Sequence, residues 1–319
     1  MPKLEAPLRM ASADSLAEFV ERHPRLFVLT GAGCSTDSGI PDYRDAAGEW
    51  KRRPPIMFQA FVADERARTR YWARSLVGFR RMRSARPNDA HTSLAALERR
   101  GRIVQLVTQN VDGLHHAAGS QNVIDLHGRI DTVRCLGCER RSSREQLQQE
   151  LERRNPDFAS LDAVEAPDGD ADLDDAAFET FDVPACDACG ELLKPDVVFF
   201  GENVPAERVQ RAMAAIELSD AMLVVGSSLM IYSGYRFATA AANAGKPIAA
   251  INLGRTRADD LLALKISDRC ATALRVITAS WGTSAAVGMG CRRLWASIDE
   301  RVKTSRSDRR QEHRREAAR

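Results

Sequence analysis

A doubly wound parallel sheet of the α/β class, with a smaller zinc-binding and helical part, is the fold this sequence predicts. Three observations carry the prediction. Apolar runs rich in branched side chains recur at 26–30 (LFVLT), 103–108 (IVQLVT), 221–228 (AMLVVGSS) and 248–254 (IAAINLG). Each stops at glycine, asparagine or a small hydroxyl residue, as strands do at the rim of an open parallel sheet with a ligand lying across it. Two CxxC pairs, Cys135/Cys138 and Cys186/Cys189, lie between the early and late runs and can supply four thiolates to one tetrahedral ion.

Composition bounds the reading. The chain has 319 residues, 44% hydrophobic and 28% charged, with a formal net charge of +2. That length suits one large domain with an inserted module, and the even charge balance points to no nucleic-acid partner. No apolar run approaches the ~18 residues of a membrane span, and no basic-then-apolar start reads as a secretory signal. A cytoplasmic protein is expected. Seven cysteines, four of them in CxxC pairs, fit metal binding in a reducing compartment better than a disulfide framework.

Taken in order, residues 1–12 read as a loose leader, and 15–22 place Leu16, Phe19 and Val20 at helical spacing beside the first strand. That strand breaks into GAGCSTDSGIPDYR (31–44). Gly31 and Gly33 hold no side chain against a ligand, so their N–H groups are expected to approach a pyrophosphate, with Ser35, Thr36 and Ser38 adding hydroxyl donors. A dinucleotide fingerprint would need a third glycine at position 36; threonine there counts against a dehydrogenase. Gly39 and Pro41 set a rigid bend before Asp42, Tyr43 and Arg44, the composition of a catalytic loop. Residues 46–86, with Trp50, Phe58, Phe61, Tyr71, Trp72 and Phe79 among many arginines, predict helices with a solvated basic face rather than a nucleic-acid patch.

Residues 87–100 predict a helix. The strand 103–108 carries Gln109, Asn110 and Asp112 beyond its carboxyl end, and a short strand in 122–128 (NVIDLHG) brings His127 to the same edge. The cysteine pairs have 47 residues between them, and 155–185 holds ten acidic residues and no basic one, so a mobile acidic loop is expected inside the module. Four protein ligands make a zinc ion structural. A redox CxxC or a nucleic-acid ribbon are the rivals, and neither explains pairs set between a dinucleotide loop and further strands. VVFF (197–200) reads as a strand, and Cys270 as a lone cysteine reads as a small buried residue. Residues 301–319 carry eight Lys or Arg against three acidic residues and predict a disordered basic tail.

Together GAGCSTDSGIPDYR, TQNVDGLH (108–115), LHG (126–128), the CxxC pairs, KPDVVFFGE (194–202), VVGSSL (224–229) and INLG (251–254) resemble, in order, the motifs of the sirtuins, the NAD-consuming protein lysine deacylases. The resemblance spans about 15–276. It implies NAD as co-substrate on Gly31, Ala32, Gly33, Ser35, Thr36, Ile40, Asp42, Tyr43, Arg44, Gln109, Asn110 and Asp112. The adenosine half would lie on Gly226, Ser227, Ser228, Asn252, Leu253, Gly254 and Cys270. It implies a structural zinc on the four CxxC cysteines, and an acyl-lysine peptide added as a strand against Val198, Phe200 and Gly201. His127 would be the general base for a ribose hydroxyl, with Asn110 and Asp112 ordering the nicotinamide pocket. Tyr43 stands where the family usually has phenylalanine.

The layout implied is a catalytic domain over 1–280, Rossmann-like at 13–45, 88–133 and 192–280, helical at 46–87, with a zinc module at 134–191 and a tail at 281–319. The Tyr-x-x-Arg pair that binds acidic acyl chains, counted back from Pro87, falls on Ser75 and Gly78, so that pair is expected to be absent. YWARSLVGF and ADDLLALKISDRC resemble class II sirtuins, which are associated with weak deacetylation, removal of lipoyl or other acyl groups, and ADP-ribosyl transfer. A glycohydrolase or ADP-ribosyltransferase on the same fold is one alternative. A zinc-bearing module that holds NAD without turnover is another, although a mere binder needs no base at position 127.

Overall fold

The computed structural model describes residues 13–279, apart from 46, 48, 50, 52–54, 162, 163, 166–170 and 173–177. The expected leader, Trp50 and the tail over 281–319 lie outside the described residues. Helix α1 (Ala13–Arg22) buries Leu16, Phe19 and Val20, and β1 (Leu26–Thr30) is buried at all five positions. The arginine-rich stretch forms α2 (Phe58–Ala63) and the twenty-residue α3 (Glu65–Ser84), whose N-cap Asp64 accepts from the Arg66 N–H. Helix α4 (Asp89–Arg99) starts at a capping box: Asn88 Oδ1 accepts from the Ala90 N–H at 2.8 Å, and the Asn88 N–H donates to His91 Nδ1 at 3.3 Å. Then come β2 (Ile103–Thr108), α5 (Leu114–Ala117), β3 (Val123–Asp125), β4 (Gly128–Cys135), β5 (Arg141–Ser143), α6 (Arg144–Arg154) and α7 (Pro156–Ala159). A two-residue hairpin, β6 (Val164–Glu165) with β7 (Ala171–Asp172), precedes β8 (Leu193–Val197), α8 (Ala206–Leu218), β9 (Ala221–Val225), α9 (Tyr232–Asn243), β10 (Ile248–Ile251), β11 (Leu264–Ile266) and α10 (Cys270–Ala279).

Six strands form one sheet in the order β11-β10-β9-β1-β2-β3, every pair parallel. Numbered along the chain within that sheet the order is 3-2-1-4-5-6, so it reverses direction between β1 and β9. Both faces are covered, which is why β1, β2, β9 and β10 are buried at every position and mostly apolar rather than alternating, with Gln105 of β2 a buried polar exception. One face packs on α1, α4 and α10 through Leu16, Leu94 and Leu274; the other packs on α8 and α9 through Ile216 and Phe237.

A second, antiparallel sheet runs β5-β4-β8. Residues 128–133 and 193–197, which the sequence layout placed with the large sheet, pair with each other here. Helices α2, α3, α6 and α7 pack beside it around Phe61, Tyr71, Trp72, Leu151 and Phe199. The acidic insertion departs from a mobile loop at both ends. Phe158 and Phe181 are buried in that same cluster, with Phe178 and Val183 packed against it, and their rings meet Phe158 at 5.1 Å (Phe181) and 6.5 Å (Phe178). Three aromatic anchors outweigh the charge between them, because each buries a large apolar area. Among the described residues no helix is long and apolar enough to cross a membrane.

Candidate active site

The carboxyl ends of β1, β2, β9 and β10 open onto one cavity of about 810 Å³. Of the residues nominated from sequence for the dinucleotide, for catalysis or for the peptide, all but Ser38 line it, from Gly31 through His127 and Gly201 to Cys270. Leu253 is among the most exposed large apolar residues of the described chain, and Cys270 lies buried with its thiol pushed up to about 12 by burial.

The glycine loop works differently from the sequence expectation. The N–H of Gly31 donates to Val225 O at 3.0 Å and that of Gly33 to Gly226 O at 2.9 Å, so neither is aimed at a ligand. A Cβ on Gly31 would stand 2.8 Å from Ser227 Cβ, and one on Gly226, whose φ is +62°, would stand 2.3 Å from Cys34 N. These glycines let the ends of β1 and β9 close on each other at the reversal point of the sheet. The hydroxyls are similarly engaged: Thr36 Oγ1 donates to Gly33 O at 3.1 Å, and Ser38 Oγ accepts from Asn88 Nδ2 at 3.0 Å.

Ser35 is the hinge of a buried relay. Its Oγ donates to Asp112 Oδ2 at 2.7 Å and accepts from Asn110 Nδ2 at 3.0 Å; that same amide donates to Gly31 O at 3.1 Å. Asp112 Oδ1 accepts from the Leu114 N–H at 2.8 Å. Gln109 is a post between walls, since Ser227 Oγ donates to its Oε1 at 2.6 Å and Gly234 leaves room for its amide.

His127 lies beside it with its tautomer fixed. Nδ1 donates to Gln109 O at 2.9 Å, because a carbonyl can only accept, and Nε2 therefore carries the lone pair, accepting from Ser233 Oγ at 2.9 Å. Burial pushes His127 down to about 4, against a raising contribution from the Gln109 carbonyl, so the ring is neutral at physiological pH. Ser233 was not picked out from sequence; a serine in the first turn of the helix after a rim strand was the only signal.

At the mouth, strand β8 ends at Val197, earlier than the VVFF reading. The Val198 N–H donates to His127 O at 2.7 Å, and Phe200 pairs with Met57, taking the Phe58 N–H on its carbonyl at 2.8 Å. Glu202 pins the segment: it accepts from the Phe199 N–H at 3.0 Å and from the buried Lys194 Nζ at 3.0 Å, whose ammonium stands 4.5 Å over the Phe199 ring. Tyr43 meets Phe200 edge-on at 6.5 Å, and Lys51 pairs with Asp42. Ser75 and Gly78 are buried within α3, where Ser75 O and Oγ accept from Arg144 Nη2. The α3 residue on the cavity is Tyr71, with Arg74 one turn further on. The chain also spells Tyr-x-x-Arg at Tyr71 and Arg74, four residues before the positions counted back from Pro87; of these two, Tyr71 is among the cavity's lining residues and Arg74 is not.

The four CxxC cysteines converge from the end of β4 and the turn before β8. Sγ separations are 3.5 Å for Cys135–Cys189 and 3.8 Å for Cys138–Cys186. Thiolates at about 2.3 Å around a tetrahedral zinc lie ~3.8 Å apart, so the set fits that ion. The N–H groups of Cys138 and Gly137 point at Cys135 Sγ (3.5 and 3.4 Å) and, Cys138 first, hold its thiol down at about 6.

A parallel doubly wound sheet with a cavity at its reversal point and a four-thiol module beside it defines a nucleotide-binding class of protein. Within that class the profile described as the Sir2 family matches residues 31–233, and this chain belongs to that family. An NAD-dependent protein deacetylase of Xanthomonas campestris pv. campestris (strain 8004) is 67% identical over 263 residues, 82% of this chain and 90% of that protein. NAD-dependent protein deacetylase 2 of Bradyrhizobium diazoefficiens is 63% identical over 261 residues, 82% of this chain and 96% of that protein. Among solved structures, a Sir2 with p53 peptide and NAD+ matches with TM-score 0.69 and 31% identity, covering 86% of this chain and all of that one. A Sir2 bound to an acetylated peptide matches with TM-score 0.68 at 30% identity over the same shares.

Proposed function

We infer that this chain is an NAD-dependent protein deacylase of the deacetylase type, moving an acyl group from lysine to the ADP-ribose of NAD with release of nicotinamide. The observation that carries the reading is the single cavity in which a neutral His127, its Nε2 lone pair held by Ser233, shares a wall with the Ser35–Asp112–Asn110 relay. Relatives named as NAD-dependent protein deacetylases and neighbours holding NAD+ and acetylated peptide support it.

The chemistry asks a weak nucleophile, the amide oxygen, to reach the ribose carbon as nicotinamide departs, so positioning is the main contribution. Asn110 and Asp112, fixed by Ser35, shape the nicotinamide end. His127 Nε2 takes the proton of a ribose hydroxyl, while its Nδ1–H on the Gln109 carbonyl keeps the ring oriented. The segment 198–201 forms the peptide side of the cleft. Zinc on Cys135, Cys138, Cys186 and Cys189 supplies only structure, because four thiolates leave no open position. We place the enzyme in the cytoplasm, whose reducing thiol pool keeps those ligands free of disulfides.

The test is nicotinamide release measured with acetyl-, propionyl- and succinyl-lysine peptides and without peptide. Release that requires the acyl peptide is expected; equal release in its absence would move the reading to a glycohydrolase. His127→Ala should abolish deacylation while zinc content and melting temperature stay near the parent's.

A further inference from the structure

Next to the cavity wall lies a second group of cysteine and histidine that deacylation leaves unused. Cys34 follows β1, His91 is in the first turn of α4 and His115 is in α5; all are 0–1% exposed. Their candidate ligand atoms all lie within 4.8 Å of one another, and the two imidazole centres are 4.7 Å apart. Hydrogen bonds fix which nitrogen is free. Thr30 Oγ1 donates to Thr108 Oγ1 at 2.9 Å, so it accepts from His115 Nε2 at 2.9 Å, and that nitrogen bears the ring proton. His115 Nδ1 is then a bare lone pair, buried and without a hydrogen-bond partner. Leaving a buried acceptor unmade is costly, which is the mark of a ligand position. Desolvation also lowers the pKa of both histidines, keeping them in the neutral form that binds metals.

We propose that Cys34, His91 and His115 form a second zinc site, distinct from the four-cysteine module, whose occupancy switches the enzyme off. One thiolate and two imidazoles select a borderline-soft cation such as Zn2+ over Mg2+ or Ca2+. Bonds of about 2.1–2.3 Å draw ligand atoms to within about 3.5 Å of each other, so filling the site contracts the cluster.

The protons balance without any redox step. The Cys34 thiol releases its proton to solvent as the Zn–S bond forms. His91, whose Nδ1 accepts from the Asn88 N–H, carries its proton on Nε2; ligation through Nδ1 takes that lone pair from Asn88, and ligation through Nε2 moves the ring proton to Nδ1, so the Asn88 bond is given up either way. The capping box of α4 then opens. Asn88 is also the tether of the glycine loop, since its Nδ2 donates to Cys34 O at 2.9 Å and to Ser38 Oγ at 3.0 Å. Ser35, the donor to Asp112, lies between these points, 3.5 Å from His91 Nε2. An ion in the cluster therefore pulls on the wall that receives NAD, and this switching arm rests on the deacylase reading above.

Full-length protein carrying one zinc on its four cysteines is titrated with Zn2+ and, for the spectrum, with Co2+. A second equivalent is expected, with a thiolate-to-cobalt charge-transfer band in the near ultraviolet, weaker NAD binding by calorimetry and a fall in nicotinamide release. Cys34→Ala should keep basal deacylation, lose the band and weaken the second equivalent by at least the ~10–100-fold that even an outer-shell loss costs. His115→Gln should weaken it as much, giving a second variant should the first fold poorly. Metal uptake limited to one equivalent, or a second equivalent equally tight in both variants, overturns the site. A second equivalent that leaves both NAD affinity and turnover unchanged overturns the switch. A protein that releases no nicotinamide at all would sink the deacylase reading, while metal count and NAD calorimetry still decide this one.

Discussion

The rim of the six-stranded sheet and the four-cysteine module hold their polar groups by opposite means. In the module, two ligands three residues apart sit on each knuckle, and local backbone N–H groups aim at the sulfur. At the rim, partners come from far along the chain: Ser35 with Asp112, Asn110 with Gly31, His127 with Ser233, 106 residues away. A locally built site survives on its own geometry once the ion is there, whereas a site assembled by tertiary contact depends on how closely the strands approach. The glycines of the rim take the place that metal–ligand bonds take in the module.

The largest test of that contrast is Cys138→Ser. It should lose the structural ion, worth about 10 kcal/mol in small zinc domains, and open 134–191 to trypsin; full metal content in the variant would break the contrast. Next is Gly226→Ala, which forces a Cβ to 2.3 Å from Cys34 N at positive φ. A loss of about 3–5 kcal/mol in urea unfolding is expected, with zinc retained. A midpoint within error of the parent would show that the strand ends can part cheaply.

Acidification should act on the rim as well. His91, His115 and His127 all have folded pKa values below the ordinary 6.5, His127 at about 4. The unfolded chain therefore binds more protons between about 6.5 and those lower values, so stability rises with pH across that window and falls as pH drops through it. His127 alone contributes about 1–3 kcal/mol, discounted because part of the residue faces the cavity. Melting temperature at pH 7.5 against pH 5 measures it, and an unchanged value in the parent would remove the burial argument. The smallest effect is Ser233→Ala, which takes away one hydrogen bond to Nε2 and should lower kcat/KM by roughly 3–10-fold without shifting the melting temperature.

Sequence reading served these two regions unequally. The cysteine pairs were legible because their spacing is itself the geometry, and the strands because covered parallel strands read as near-continuous apolar runs. His127, Asn110 and Asp112 were found through strand ends and a family resemblance. What they bond was not legible, since Ser35, Gln109 and Ser233 meet them only after the sheet closes. The Gly31 and Gly33 N–H groups were assigned to a phosphate because the strand ends that accept them lie some 190 residues further on. Counting back from Pro87 passed over Tyr71, because the distance from the cavity to Pro87 along α3 is not fixed by the motif that follows. The acidic run 155–185 hid Phe158, Phe178 and Phe181, as composition averages over anchors that packing reads one at a time.

Strand β1 occupies the middle of the sheet, yet one of its two neighbours is translated very late: Arg25 and Asp220, which clamp the start of the β1–β9 pair, are 195 residues apart. At ~5–20 residues per second a ribosome takes roughly ten to forty seconds to cover that interval. For that time the newborn chain displays a largely apolar edge with no mate, a standing invitation to other nascent chains. The protein's yield in a cell should thus depend on holdase chaperones more than its finished stability would suggest.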